Sequence, residues 1–155
     1  MERITKSLKI GIPSNLAFQK FVNEFNEWWP KEYTWSQDKL EEIKIDNRKN
    51  GLCTEIGPNG FRCDWGTIIE FTENETISLK WQISPNREPI PNPEKASDLK
   101  VNFVQSEDSS TIEFEHFNFE NHGEGFENYR EMMNSEQGWD YILNNFKKHC
   151  EKQKD

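Results

Sequence analysis

The sequence predicts an α+β protein in which an antiparallel sheet packs against one long C-terminal helix. Successive short segments up to about residue 116 alternate apolar and polar residues, which is the period of a half-buried strand. In the last segment, residues 134–152, apolar side chains recur every three or four positions and so share one helix face: Trp139, Ile142, Leu143, Phe146 and Cys150. A sheet with one apolar face and a helix with one apolar stripe bury each other.

The helices near the N-terminus follow from capping and spacing. Residues 3–12 read as an opening strand, and Ser14 is expected to cap a helix that runs to about Glu27. A short helical turn is expected within residues 32–39. Since two adjacent tryptophans of a regular helix cannot both point into one core, we expect only one of Trp28 and Trp29 to be packed and the other to lie at a cavity mouth or interface.

Six further strands are predicted within residues 43–116. Apolar and polar residues alternate along each of them, and turn residues separate one strand from the next. The clearest spans residues 61–71, where Phe61, Trp65, Ile69 and Phe71 are predicted to share one buried face. In the strand before it, the alternation predicts that Cys53 faces outward.

Composition narrows the classes of function. The 155 residues are enough for one core, so we expect residues 1–155 to form a single domain. A net charge of −9 argues against nucleic acid or an anionic membrane as the partner. The N-terminus lacks the apolar core of a signal peptide, and three cysteines without metal-like spacing suit free thiols, so a cytoplasmic location is expected.

No catalytic or cofactor motif emerges from the sequence. Gly57-Pro58-Asn59-Gly60 lies between strands and does not lead into a helix, so it is not a phosphate-binding loop. The surroundings of His122 match no metal-ligand spacing. We therefore predict no catalytic residue, no metal and no cofactor.

Three stretches carry a family resemblance: DWGTIIEFTENETISLKWQI, PNPEKASDLKVNF and EFEHFNFENHGEGFENYREMMNSEQGW. They resemble the bacterial branch of the activator of heat-shock protein 90 ATPase-like family, within the START-like and birch-pollen-allergen-like (SRPBCC) superfamily. The resemblance covers nearly the whole chain and is weakest at residues 32–59. It implies the helix-grip fold, a curved antiparallel sheet of about seven strands wrapped around a long C-terminal helix, with two short helices after the first strand.

The resemblance also implies a cavity between the sheet and the last helix. The predicted ligand-binding residues are mainly the large side chains that face inward from these elements: Trp29, Trp65, Phe71, Trp81, Phe103, Phe114, His116, Trp139 and Leu143. The alternative is that the same side chains fill a solid core. His116 is either a hydrogen-bonded core histidine or the polar contact that orients a ligand.

Three functions remain open at this point. The favoured one is non-enzymatic binding of a small apolar molecule, aromatic or lipid-like. The second is a cyclase or hydrolase of the same superfamily that uses His116, although the sequence names no partner for this histidine. The third is a protein-interaction domain linked to a chaperone ATPase. The sequence says nothing about oligomeric state.

Overall fold

The computed structural model describes residues 2–152; residue 1 and residues 153–155, which the single-domain prediction also includes, lie outside the described part. Seven strands form one antiparallel sheet, as predicted. The strands are β1 (Ile4–Ile10), β2 (Glu42–Ile45), β3 (Leu52–Ile56), β4 (Arg62–Thr72), β5 (Thr76–Trp81), β6 (Ser97–Ser106) and β7 (Ser109–Phe117). The α-helices are α1 (Ser14–Asn23), α2 (Phe25–Trp28), α3 (Phe126–Met133) and α4 (Trp139–Cys150).

The order of the strands places the helices over one face of the sheet. The order is β1-β7-β6-β5-β4-β3-β2, so the first strand pairs with the last and β2 forms the opposite edge. Helices α1 and α2 carry the chain from one edge to the other, and α4 packs against both of them and against β1. The curled sheet and the C-terminal helix form the helix-grip fold.

The first helix is shorter than predicted. It ends at Asn23, the backbone departs from helical angles at Glu24, and a separate turn, α2, follows. The predicted cap by Ser14 is also wrong, because Pro13 occupies the capping position and the Ser14 N–H donates to Gln105 Oε1 at 2.8 Å. The break at Glu24 reorients the chain before the two tryptophans.

Trp28 and Trp29 are both buried, with 3% and 8% of their surface exposed. The expectation that only one of them packs into the core is therefore wrong, whereas the expectation that the other lies at a cavity agrees with the position of Trp29. Its premise was a regular helix, whereas α2 ends at Trp28 and Trp29 has an extended backbone. The change of backbone conformation lets two adjacent indoles reach the same interior.

The C-terminal helix begins at Trp139, and residues 134–138, the start of the segment assigned to it, form a tight turn after α3. Its stripe is buried as expected. Helix α4 is therefore joined to α3 by a short connection, and this connection shapes one end of the interior.

Strand β4 bulges twice, which changes its buried face. Trp65 has no partner in β3, and Ile69 has none in β5. An extra residue reverses the alternation beyond it, so Ile68 is fully buried whereas Ile69 is 41% exposed. The predicted shared face holds for Trp65 and partly for Phe71 and is wrong for Phe61 and Ile69.

Cys53 is fully buried, contrary to the prediction that it faces outward, and its neighbour Leu52 is 40% exposed. Gly66 lies opposite it in β4, and a β-carbon at residue 66 would lie 3.3 Å from the Cys53 sulfur. All three cysteines are free. Within residues 2–152, none of the helices combines the length and the hydrophobicity that a membrane span requires.

Candidate functional site

A cavity of about 230 Å³ opens at one end of the sheet. It is bounded by strands β2 to β5, by α3 and the start of α4, and by the segment that follows α2. Six aromatic side chains line it: Trp29, Tyr33, Trp35, Trp65, Trp81 and Tyr129. The other lining residues are Thr34, Ile43, Glu55, Ile83, Arg87, Met132, Met133, Gln137, Gly138 and Ile142.

Three of the nine predicted ligand-binding residues meet at this cavity: Trp29, Trp65 and Trp81. Trp29 and Trp65 are stacked with their ring centroids 6.2 Å apart, and Trp81 lies 5.8 Å from Trp65 at a steep angle. These indoles form the inner wall, where the cavity adjoins the core.

The other predicted residues lie elsewhere. Phe114, Trp139 and Leu143 surround a gap of only about 10 Å³ between sheet and helix, which is at the lower limit for one water molecule. Phe71 and Phe103 pack edge-on against Phe18, away from the cavity. The interface between the sheet and α4 is therefore filled by the protein's own aromatic rings, and the open space lies beside that interface.

Glu55 is the buried charged group of the cavity wall. It lies on β3 with 1% of its surface exposed, and its two carboxylate oxygens accept the backbone N–H groups of Trp35 at 3.1 Å and Ser36 at 2.7 Å. These bonds fix the loop that carries Trp35 over the cavity.

Arg87 and Trp35 form part of the rim. Arg87 is exposed and has a left-handed backbone, with φ of 66°. Its carbonyl oxygen accepts the Trp35 indole N–H at 2.7 Å, so the loop after β5 and the loop before β2 are held together. No ion pair or hydrogen bond joins the Arg87 guanidinium to another side chain within residues 2–152.

Tyr129 connects α3 to the sheet. Its hydroxyl accepts the Trp81 indole N–H at 2.7 Å and donates to the carbonyl of Ile83 at 2.7 Å. Burial raises the pKa of Tyr129 above its usual 10, so the phenol stays protonated. Trp65 differs from Trp81, because its indole N–H is buried and has no hydrogen-bond partner among the described residues.

His116 lies outside the cavity lining and is fully buried. The Trp139 indole N–H donates to His116 Nδ1 at 3.0 Å, which leaves the N–H on Nε2 to donate to Ser97 Oγ at 2.7 Å. Ser97 in turn donates to Nε2 of His122, also at 2.7 Å. Burial holds the pKa of His116 well below its usual 6.5 and lowers that of His122 to about 4, so both rings are neutral at pH 7.

One group of side chains has a composition that could hold a metal ion. Ligand atoms of Glu24, Glu27 and His149 lie within 4.8 Å of one another. His149 Nε2 already contacts Glu24 Oε1 at 2.6 Å, and Lys20 Nζ lies 3.5 Å from the same oxygen. A hydrogen-bonded pair between α4 and the break after α1 explains this arrangement without a metal.

The sequence model of the family described as Activator of Hsp90 ATPase homolog 1-like protein matches residues 19–151. The chain belongs to this family. A search of curated protein sequences finds no significant match.

Solved structures confirm the fold of the Activator of Hsp90 ATPase homolog 1-like family in this chain. The anthrahydroquino-γ-pyrone synthase Txn09 is similar with 21% identity and a TM-score of 0.67, over 94% of this chain and 95% of the other. The self-sacrificing resistance protein CalC from Micromonospora echinospora has 22% identity and a TM-score of 0.65, over 96% and 93%. The Aha1 dimer from Colwellia psychrerythraea has 14% identity and a TM-score of 0.66, over 100% of both chains. At these identities the likeness shows the fold alone.

Several cavity residues of this family member were not predicted from its sequence. Tyr33 and Trp35 lie in a segment without helix or strand periodicity, so nothing indicated their direction. Glu55 lies two residues after Cys53 in β3, on the side that the alternation assigned to solvent. Tyr129 and Met133 could have been found, because Phe126, Tyr129 and Met133 have the spacing of one face of a helix.

Proposed function

We propose that this chain binds a small aromatic molecule in the cavity, without transforming it. The observation that carries the proposal is the cavity itself, about 230 Å³ of open space with six aromatic side chains around it. Aromatic and aliphatic walls with few polar groups are typical of small-molecule sites.

The size of the cavity limits the ligand. Cavities for drug-sized ligands enclose roughly 300–1,000 Å³, and this one is smaller. A compound with one or two fused rings suits the space better than a long lipid or an extended multi-ring compound. This refines the sequence-based proposal of an aromatic or lipid-like ligand toward the aromatic alternative.

The arrangement of the buried histidines favours binding over catalysis. A histidine that acts as a general base needs a free ring nitrogen within reach of the substrate. Both ring nitrogens of His116 are occupied, by Trp139 and Ser97, and none of these residues lines the cavity. Among the described lining residues, Tyr129 uses its hydroxyl as both donor and acceptor inside the protein. The cyclase or hydrolase alternative would therefore need a base other than His116.

Filling the cavity tests the proposal. Met133 is half-buried on α3 and lines the cavity, so Met133→Trp should occupy the space and abolish ligand binding. Val104, on β6, is 44% exposed and lies outside the cavity, which makes Val104→Trp the matched control. Neutral probes such as indole, 2-naphthol and 3-ethylindole should raise the melting temperature of the native protein and of Val104→Trp, and should leave Met133→Trp unchanged.

Circular dichroism establishes that both variants are folded. The proposal fails if no probe stabilises the native protein, or if Met133→Trp binds the probes as well as Val104→Trp does.

A further inference from the structure

Two acidic side chains of the described structure are buried, and their environments differ. Asp98 is 7% exposed, and its carboxylate is paired with Lys80 Nζ at 3.1 Å and accepts from Asn118 Nδ2 at 2.8 Å. Glu55 is 1% exposed, and no Lys, Arg or His within residues 2–152 forms an ion pair with it. Buried charges in proteins are normally paired, so Glu55 is the exception.

The carboxylate of Glu55 accepts fewer hydrogen bonds than it has acceptor positions. Each oxygen accepts one backbone N–H, from Trp35 and from Ser36. A carboxylate offers about four acceptor positions, so two donors do not saturate it. Glu55 also lines the cavity, and the ligand site is therefore the place from which a counter-charge would reach it.

The walls around Glu55 suit a cation as well. Indole and phenol rings attract ammonium groups through their π electrons, and this attraction is larger where water is excluded. Trp29, Trp65 and Trp81 on the inner wall are each less than 9% exposed. The net charge of −9 adds a long-range attraction for cations.

We propose that the ligand of the cavity is an organic cation, an alkylammonium group carried on a small aromatic body, with the ammonium directed at Glu55. This inference rests on the proposed binding function and names the chemical class of its ligand. Arg87 is the opposing charge, but it is exposed at the rim, and exposed ion pairs contribute little to binding. We therefore expect the buried carboxylate of Glu55, and not Arg87, to determine the sign of the ligand's charge.

Three probes with the same ring system separate the possibilities. Tryptamine is a cation at pH 7, 3-ethylindole is neutral, and indole-3-propionate is an anion. Isothermal titration calorimetry should show that tryptamine binds roughly tenfold more tightly than 3-ethylindole, and that indole-3-propionate binds most weakly. Added salt should weaken the binding of tryptamine and leave that of 3-ethylindole nearly unchanged.

Two variants test whether the preference for tryptamine depends on the charges of Glu55 and Arg87. Glu55→Gln should reduce the affinity for tryptamine to that for 3-ethylindole. Because this substitution would place an amide NH2 against a backbone N–H and disturb the loop, Arg87→Gln serves as the second variant. Removing the rim charge should raise the affinity for tryptamine about twofold and lower that for indole-3-propionate.

The outcomes test separately whether the ligand is a cation and whether the cavity binds small aromatic molecules at all. If 3-ethylindole binds and tryptamine binds no better, or if indole-3-propionate binds most tightly, the cavity binds aromatic compounds but the cation inference is wrong. The inference is also wrong if folded Glu55→Gln keeps the full preference for tryptamine, or if Arg87→Gln does not strengthen its binding. If neither the three probes nor other neutral aromatics bind, the proposed function itself fails.

Discussion

The ring of His116 links two helical regions to the sheet. The ring accepts a hydrogen bond from Trp139 of α4 and donates one to Ser97 of β6. Ser97 in turn donates a hydrogen bond to His122 in the turn after β7. Every donor and acceptor of the His116 ring is used, which is the condition for keeping a polar side chain in a core. The sequence predicted the inward direction but not these partners.

His116 makes stability depend on pH in a defined direction. Its folded-state pKa lies well below the unfolded value of 6.5, so below pH 6.5 the unfolded chain binds a proton that the folded chain does not. The free energy of unfolding should fall from pH 6.5 toward the folded pKa, by about 1.4 kcal/mol per pH unit for this histidine. Urea denaturation at pH 7.5, 6.0 and 5.0 measures the slope.

The variant His116→Gln tests whether His116 causes this pH dependence of the free energy of unfolding. The variant should be less stable at pH 7.5, since the hydrogen bonds to Trp139 and Ser97 are perturbed. Between pH 6.5 and 5.0, however, its free energy of unfolding should fall less steeply than that of the native protein, by up to about 1.4 kcal/mol per pH unit. An unchanged slope would contradict the assignment to His116.

At the scale of elements, the connection from α3 to α4 depends on close backbone contact. Gly138 N–H donates to the Ser135 carbonyl, and the Gly138 carbonyl accepts from Ile142 in the first turn of α4. A β-carbon at residue 138 would lie 2.3 Å from the Met133 carbonyl oxygen, which belongs to the backbone and cannot move aside. The glycine fixes where α4 begins and hence the shape of the cavity at that end.

Gly138→Ala should therefore lower the free energy of unfolding by about 1–3 kcal/mol. Gly11→Ala is the matched control, because the atom nearest to its new β-carbon is Glu151 Oε2 at 3.2 Å, the end of a flexible side chain. Chemical denaturation of both variants makes the comparison. Equal stability of the two would show that the close approach at Gly138 imposes no strain.

At the scale of the whole molecule, the interior is divided between a filled core and an open cavity. The core includes Phe18, Phe21, Phe146 and Trp139, and Phe21 packs edge-on against both Phe103 and Phe146. The cavity begins where the inner wall of indoles meets α3 and the loops before β2 and after β5. Stability and binding should therefore depend on different residues.

Two truncations test this separation. Leu143 is 3% exposed in the core, and Leu143→Ala should lower the free energy of unfolding by about 2–5 kcal/mol. Met132 lines the cavity and is 45% exposed, so Met132→Ala should change stability by less than about 0.5 kcal/mol while altering the affinity for the indole probes. A large loss of stability in Met132→Ala would show that the cavity wall is part of the core.

The sequence predicted the elements of the fold better than the composition of the site. Alternation indicated seven strands, and the stripe from Trp139 to Cys150 indicated the last helix, because these patterns are local. It did not reveal the bulges in β4, since an extra residue is recognised only against the partner strand. This is why Ile69 was assigned to the wrong face, whereas Cys53 was misplaced because the alternation of β3 was assigned with the opposite phase.

The sequence by itself determined that an aromatic-rich sheet would be covered by one apolar helix, since periodicity and composition fix which faces are hidden from water. Only the tertiary structure decided where space remains. Phe114, Trp139 and Leu143 fill the gap between sheet and α4, while Glu55, Trp35 and Tyr129 come together from separate parts of the chain around an open cavity. Volume left between packed surfaces depends on how large side chains interlock in three dimensions, and no one-dimensional pattern contains that information.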